Sequence, residues 1–166
     1  MPKTTILGID PGLQITGYAV LETGIRGPRV CEAGIIRAYS GSRPPEMAIR
    51  LKILYDGIVG VIRQYKPDVM AMEQIYAHYR HPRTAILMAH ARGVLMLAGA
   101  SSDLEVFNYN ATLIKKMITG NGRAPKEQVQ RTIQSELSLD SLPEPPDVAD
   151  ALAIALCHYH SCRKAL

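Results

Sequence analysis

Asp10 closes the apolar run ILGI and is followed at once by Pro11-Gly12, which holds its carboxylate at the end of a strand-like segment. Glu73 is the only charge after Asp68 in DVMAMEQIY. A carboxylate inside an apolar strand costs several kcal/mol unless it is paired or binds a metal. Asp147 and Asp150 stand at i and i+3, which puts both on one face of a first helical turn. Hard oxygen donors from three separate segments suit Mg²⁺, and two ions roughly 4 Å apart can clamp the attacking and leaving oxygens of a phosphodiester. The chemistry expected of such a set is metal-dependent phosphodiester hydrolysis, with two Mg²⁺ ions in the site and Mn²⁺ as a substitute. Each residue also has a plainer use. Asp10 is a natural turn former before Pro-Gly, and Asp147 after Pro145-Pro146 makes a good helix N-cap, with Asp150 complementing the positive helix end. Glu73 is the hardest to explain by structure alone.

The elements that must position these acids follow from the pattern of apolar residues. TTILGID, TGYAVLE and VCEAGIIRA read as three strands in a meander, with a turn through Gly24 to Pro28. Met47, Leu51, Leu54, Ile58 and Ile62 recur at helical spacing, and that helix stops before Pro67. DVMAMEQIY is the next strand, and from Pro82 to about Gly99 RTAILMAHARGVLMLAG is a helix apolar almost all round, expected to be buried on more than one side, either in the core or against a partner subunit. A short strand LEVFNYN, helical segments around 112–118 and 126–137, and a last helix from Asp147 to about Arg163 complete the chain. Strands first, then alternating helix and strand, describe an α/β mixed sheet with helices on both faces and parallel later strands.

No repeat, linker or low-complexity tract divides the 166 residues, so a single domain over 1–166 is expected. The N-terminal MPKTTILGID lacks the long apolar stretch of a signal peptide, and no later run approaches the roughly 20 residues that span a bilayer. A cytoplasmic protein with free thiols at Cys31, Cys157 and Cys162 is expected, without membrane attachment. The net charge is +4, from 19 Lys and Arg against 15 Asp and Glu. With the four candidate ligands set aside only 11 acids remain, a surface that attracts phosphate.

The stretches ILGIDPGLQITGYAV, AMEQIY, ARGV, KKMITGNG with the following APKEQVQ, and DVADALAIALCH occur in this order from end to end. In them the chain closely resembles the RuvC family of bacterial junction resolvases. The resemblance implies a ribonuclease H-like fold, a mixed five-stranded sheet with helices on both faces. It places Asp10, Glu73, Asp147 and Asp150 at the family's metal-binding catalytic carboxylates. Lys115 and Lys126 fall on basic residues important at the junction, and Tyr76 on an aromatic that contacts bases at its centre. It further implies a homodimer that nicks two strands of a four-way DNA junction symmetrically, leaving 5′-phosphate ends, and a branch-migration motor as partner. The chain departs from the family between Glu73 and Arg92, where Pro82 and the cluster Tyr79, Arg80, His81, Arg83 would reshape a DNA-contacting loop.

Other residues bear on the same reading. Tyr76, Arg80 and Arg83 interleave aromatic and basic groups, a composition suited to stacking on unpaired bases and holding phosphates. Between Tyr76 and Arg131 eight Lys and Arg, including Lys115, Lys116 and Lys126, face only Asp103, Glu105 and Glu127, which favours a DNA-facing side. Arg92, inside the apolar helix, serves either packing or an internal ion pair. The helix from Ile86 to Leu97 is the candidate dimer seam. The string Cys157-His158-Tyr159-His160-Ser161-Cys162 is a poor zinc site, because ligands on one continuous helix cannot surround a tetrahedral ion; a helix end with buried thiols and exposed imidazoles is expected instead. Gly120-Asn121-Gly122 reads as a break between helices. Two other functions remain open: an ATP-using phosphotransferase of the actin-like fold, suggested by Asp10-Pro11-Gly12, and a module that binds branched DNA without cutting it.

Overall fold

The expected alternation of elements is found in the computed structural model, which describes residues 3–25, 27–75 and 82–164. Strands β1 (Thr4–Asp10), β2 (Ile15–Gly24), β3 (Gly27–Arg37), β4 (Val69–Glu73) and β5 (Glu105–Tyr109) form one sheet in the order β3-β2-β1-β4-β5. The first three pair antiparallel, and β4 and β5 run parallel to β1. The β2–β3 turn is tighter than a loop from Gly24 to Pro28, since Gly24 pairs directly with Gly27. Gly27 sits at φ 102°, a conformation that favours glycine and lets the hairpin close at once.

Helices α1 (Met47–Tyr65) and α2 (Pro82–Ala100) cover one face of the sheet; α3 (Ala111–Thr119), α4 (Lys126–Glu136) and α5 (Pro146–Lys164) cover the other. The period of two along each strand divides the core accordingly. Leu7, Ile9, Met70 and Met72 pack with Leu54, Ile58 and Leu95. Ile6, Ala19, Leu21 and Ala71 pack with Leu152, Ile154, Ile114 and Ile133. Lys66, at φ 46°, ends α1 one residue before Pro67. The Asn110 side chain caps α3 by accepting from the Leu113 N–H at 2.8 Å, and Gly120, at φ 78°, terminates it.

Two glycines set how closely α5 approaches the sheet. A Cβ on Gly8 would stand 2.4 Å from the Ala151 carbonyl oxygen, and one on Gly17 would stand 2.1 Å from that of Asp147. Only residues without a side chain let the helix backbone lie directly on β1 and β2.

Within one chain helix α2 is not buried on more than one side, which leaves the partner-subunit form of that expectation untested. Ala91, Leu95 and Ala98 are buried, but Ile86, Leu87 and Leu97 are exposed by 57, 41 and 57%. Arg92 is level with the end of β4, where it bonds to Glu73. Between Arg83 and His90 most residues are exposed, and the buried positions of the helix begin at Ala91. The apolar composition is real, but among the described residues the first half of the helix is mostly exposed. Among the described residues no helix is long and apolar enough to cross a membrane.

Candidate active site

Asp10 is the last residue of β1 and Glu73 the last of the adjoining parallel β4. Ile9 pairs with Met72, so the two carboxylates leave neighbouring strand ends side by side. Both continue the face that carries Gly8 and Ala71, the face covered by α5. Glu73 is thus the last residue of its strand. The Gln74 N–H, one residue further on, still donates to the Tyr109 carbonyl at 2.8 Å.

The contact at Gly17 brings in the other pair. Asp10 pairs with Gly17 across β1 and β2, and the Asp147 backbone rests on Gly17. Helix α5 begins at Pro146, so Asp147 is its second residue and not the N-cap. Asp150, the fifth, lies one turn further along and not in the first turn with Asp147. The capping use of Asp147 falls away, and the geometry leaves both side chains directed at the strand ends, where Asp10 feels them.

The electrostatics record this convergence. Asp10 is pushed up to about 8, first by burial and then by Asp150, Glu73 and Asp147, with Lys126 the charge that opposes them. Glu73 is also raised, by burial and then by Asp150, against the pull of Lys115 and Lys126. Burial works against the charge on Lys126, yet its hydrogen bond to Asp150 and the nearby carboxylates hold its proton more tightly than usual. The Lys126 Nζ donates to Asp150 Oδ2 at 2.7 Å.

A centre with more carboxylate than cation, all of it oxygen, has the donor chemistry that a hard divalent ion satisfies. Among the described residues no three His, Cys, Asp or Glu side chains close on one point tightly enough to hold an ion as they stand. The acids are gathered around Asp10 and would have to draw in to ligate.

The sequence-derived cations divide. Lys115 and Lys126 line a recess of about 140 Å³ together with Glu73, Asp150, Ile114 and Ile154. Lys116 is exposed on the outer side of α3 and does not line it. Arg83 is exposed near the start of α2. Tyr76 and Arg80 lie outside the described residues. A larger groove along α4, lined by Glu127, Arg131, Ser135 and Glu136, contains none of the four acids.

Two supporting groups were not assigned from sequence. Arg92 donates through Nε to the Glu73 carbonyl at 3.2 Å and through its terminal nitrogen to the Asn108 side chain, so it ties α2 to the ends of β4 and β5. Its isolation in an apolar helix was the available signal, and its partner is a backbone oxygen and an amide, not an ion pair. Tyr109 pairs with Glu73 in register, and its hydroxyl is hydrogen-bonded to His158 Nδ1 at 2.7 Å. The expected arrangement at the end of α5 is partly reversed. His158 is buried against Phe107, with its ring centre 4.5 Å away, while Cys162 is exposed and Cys157 buried. The helical period turns position 158 toward β5 and position 162 past its end.

A mixed sheet in the order 3-2-1-4-5, helices on both faces and acids at the adjoining ends of strands 1 and 4 define an α/β protein of the ribonuclease H-like class. A family model described as crossover junction endodeoxyribonuclease RuvC matches residues 6–158. The chain is 52% identical over 157 residues to a protein of that name from Rhodopirellula baltica, covering 93% of this chain and 85% of the relative. It is 43% identical over 158 residues to one from Halothermothrix orenii, covering 95 and 93%. The structure of Thermus thermophilus RuvC in complex with Holliday junction substrate superposes with a TM-score of 0.89 at 27% identity, covering 98% of this chain and 96% of that one. The chain belongs to the RuvC family of crossover junction endodeoxyribonucleases.

Proposed function

We propose that this protein resolves four-way DNA junctions in recombination and repair by hydrolysing one phosphodiester in each of two strands, with Asp10, Glu73, Asp147 and Asp150 as its catalytic, metal-binding set. The observation that carries the reading is the convergence of three further acids on a half-buried Asp10, with Lys126 opposing them among the described residues. Structure earns nothing from such crowding: like charges held together in a poorly solvated place raise the cost of folding. Bound Mg²⁺, two ions per site with Mn²⁺ as a substitute, would supply an activated water and a stabilised leaving oxygen.

The chain's own residues do the rest. Asp10, between the other three, is the carboxylate shared by the whole set. Glu73 holds the β4 side, steadied through its backbone by Arg92. Lys126 fixes Asp150 and, with Lys115, presents positive charge beside the acids where a phosphate must be held. Lys116, Arg83, Arg80 and Tyr76 extend that DNA-binding side.

The functional unit is a homodimer, since two symmetric nicks require two sites related by a two-fold axis. Ile86, Leu87 and Leu97 on α2, with Ile49 and Ile53 on α1, are exposed apolar residues on one side of the sheet and form the proposed seam. A branch-migration motor and a cytoplasmic setting complete the proposal.

The test is cleavage of a synthetic four-way junction beside linear duplex of the same sequence, in Mg²⁺ and in chelator. Paired, ligatable nicks on the junction alone, lost in chelator, are expected. Binding without cutting in either Mg²⁺ or Mn²⁺ would leave a branched-DNA-binding module. A sedimentation mass of one chain at micromolar concentration, with cleavage intact, would refute the dimer.

A further inference from the structure

Arg37 is a cation that the sequence left unassigned, and its register gives it a use. Asp10 pairs with Gly17, and Gly17 with Ile35. Directly paired residues share a face, and residues two apart on a strand share it again. Arg37 therefore projects from the same face as Asp10, two strands over and two residues nearer the sheet edge, about 12 Å from it by strand spacing and rise. The alternation is visible in the packing: Ile35 joins the core under α5, and Ile36 the core under α1. Helix α5 begins at Pro146 with its Asp147 backbone already on Gly17, so no earlier turn of it extends over Arg37.

Arg37 is exposed, and none of the ion pairs among the described residues involves it. Yet its backbone is firmly held. The N–H of Ala38, a buried residue, donates to the Gln14 carbonyl at 2.9 Å, joining the end of β3 to the loop that follows Asp10. Arg50 donates to the Leu13 carbonyl of the same loop at 3.3 Å and stacks over Tyr39 at 4.8 Å. A cation with no ion-pair partner among the described residues, on a braced strand end, beside a phosphodiester-cutting centre, is placed for a phosphate.

We infer that Arg37 binds a backbone phosphate of the strand being cut, on the opposite side of Asp10 from Lys115 and Lys126. The scissile strand then crosses the sheet edge from the recess between α3 and α4, over Asp10, to the end of β3. Arginine suits this task because its guanidinium presents a fork of donors to phosphate oxygens. The inference rests on the nuclease reading and adds the path of the strand to it.

The experiment compares wild type, Arg37→Gln, Arg37→Lys and Arg29→Gln in binding and nicking of a four-way junction across a salt series. Arg29 lies on the same strand at the far end of the sheet, where it pairs with Glu22, and serves as the control. Arg37→Gln is expected to weaken junction binding roughly five- to tenfold and to lower the slope of log K against log salt by about 0.9, one phosphate contact. Arg37→Lys should retain most of the slope, and Arg29→Gln should match wild type. Junctions carrying one neutral methylphosphonate at each position flanking the cut then locate the contact. At one of them wild type should lose affinity while Arg37→Gln should not. Wild-type affinity and slope in Arg37→Gln, with wild type itself cutting normally, would overturn the inference alone. So would strictly additive losses at every flanking phosphate. Failure of wild type to bind or cut would overturn the nuclease reading beneath it.

Discussion

Replacing Asp10 by Asn in the metal-free protein should make it more stable, by an amount that grows with pH. The carboxyl is pushed from 3.8 to about 8, first by burial and then by three neighbouring acids. For an acid raised in this way the folded state keeps a proton that the unfolded chain has already lost. Stability is then full below the unfolded pKa and falls as pH rises, until the folded group itself ionises. At ~1.36 kcal/mol per pH unit, the wild type loses on the order of 4 kcal/mol from this group between pH 4 and 7. Asn does not titrate, so its pH-independent effects on packing drop out when slopes are compared. Urea unfolding of wild type and Asp10→Asn in chelator, at intervals from pH 4 to 9, reads the difference directly. The variant should gain on the wild type by several kcal/mol through that window, and the gap should level off above about pH 8. Millimolar Mg²⁺ should narrow it by stabilising the wild type alone. Parallel stability curves for the two proteins from pH 4 to 8 would refute the claim that burial and the neighbouring acids hold the proton on Asp10.

Other consequences follow from neighbouring contacts. Lys126→Met removes the charge that holds Asp10 and Glu73 down, so the acidic limb of the junction-nicking rate should move to higher pH. Its cost in urea stability should stay within about 1 kcal/mol, because the pair with Asp150 is 55 and 37% exposed. Gly17→Ala places a Cβ 2.1 Å from the Asp147 carbonyl oxygen, which forces the first turn of α5 away from Asp10. Nicking should fall by roughly a hundredfold for a loss of about 1–3 kcal/mol in stability, with the helical circular dichroism retained. Arg92→Met frees the Glu73 carbonyl and Asn108, and should lower the single-turnover rate roughly tenfold while leaving junction affinity unchanged.

The acids were legible because each breaks a local rule. Asp10 ends an apolar run at Pro-Gly, and Glu73 ends another, and strand order then needs only the parallel β1–β4 pairing to set them together. The details that failed were those set by partners distant in sequence. Two prolines before Asp147 allowed the helix to start on either side of it, and the close approach at Gly17, invisible in the local pattern, goes with the earlier start. An apolar helix announces that it wants burial without saying against what, and Ile86, Leu87 and Leu97 of α2 are left exposed in the single chain. Arg92 spends its donors on a backbone carbonyl and an amide, which leave no trace as a complementary charge. Arg37 was overlooked because its value lies in a register that crosses three strands.

The central claim is that Asp10, Glu73, Asp147 and Asp150 make one metal centre that cuts DNA. Anomalous diffraction from crystals of the protein soaked in Mn²⁺, with and without a bound junction, tests it most directly. Manganese peaks between Asp10 and the other three carboxylates, absent in Asp10→Asn, are the predicted result. A wild-type crystal whose manganese lies only elsewhere, with the four carboxylates empty even on the junction, would contradict the account.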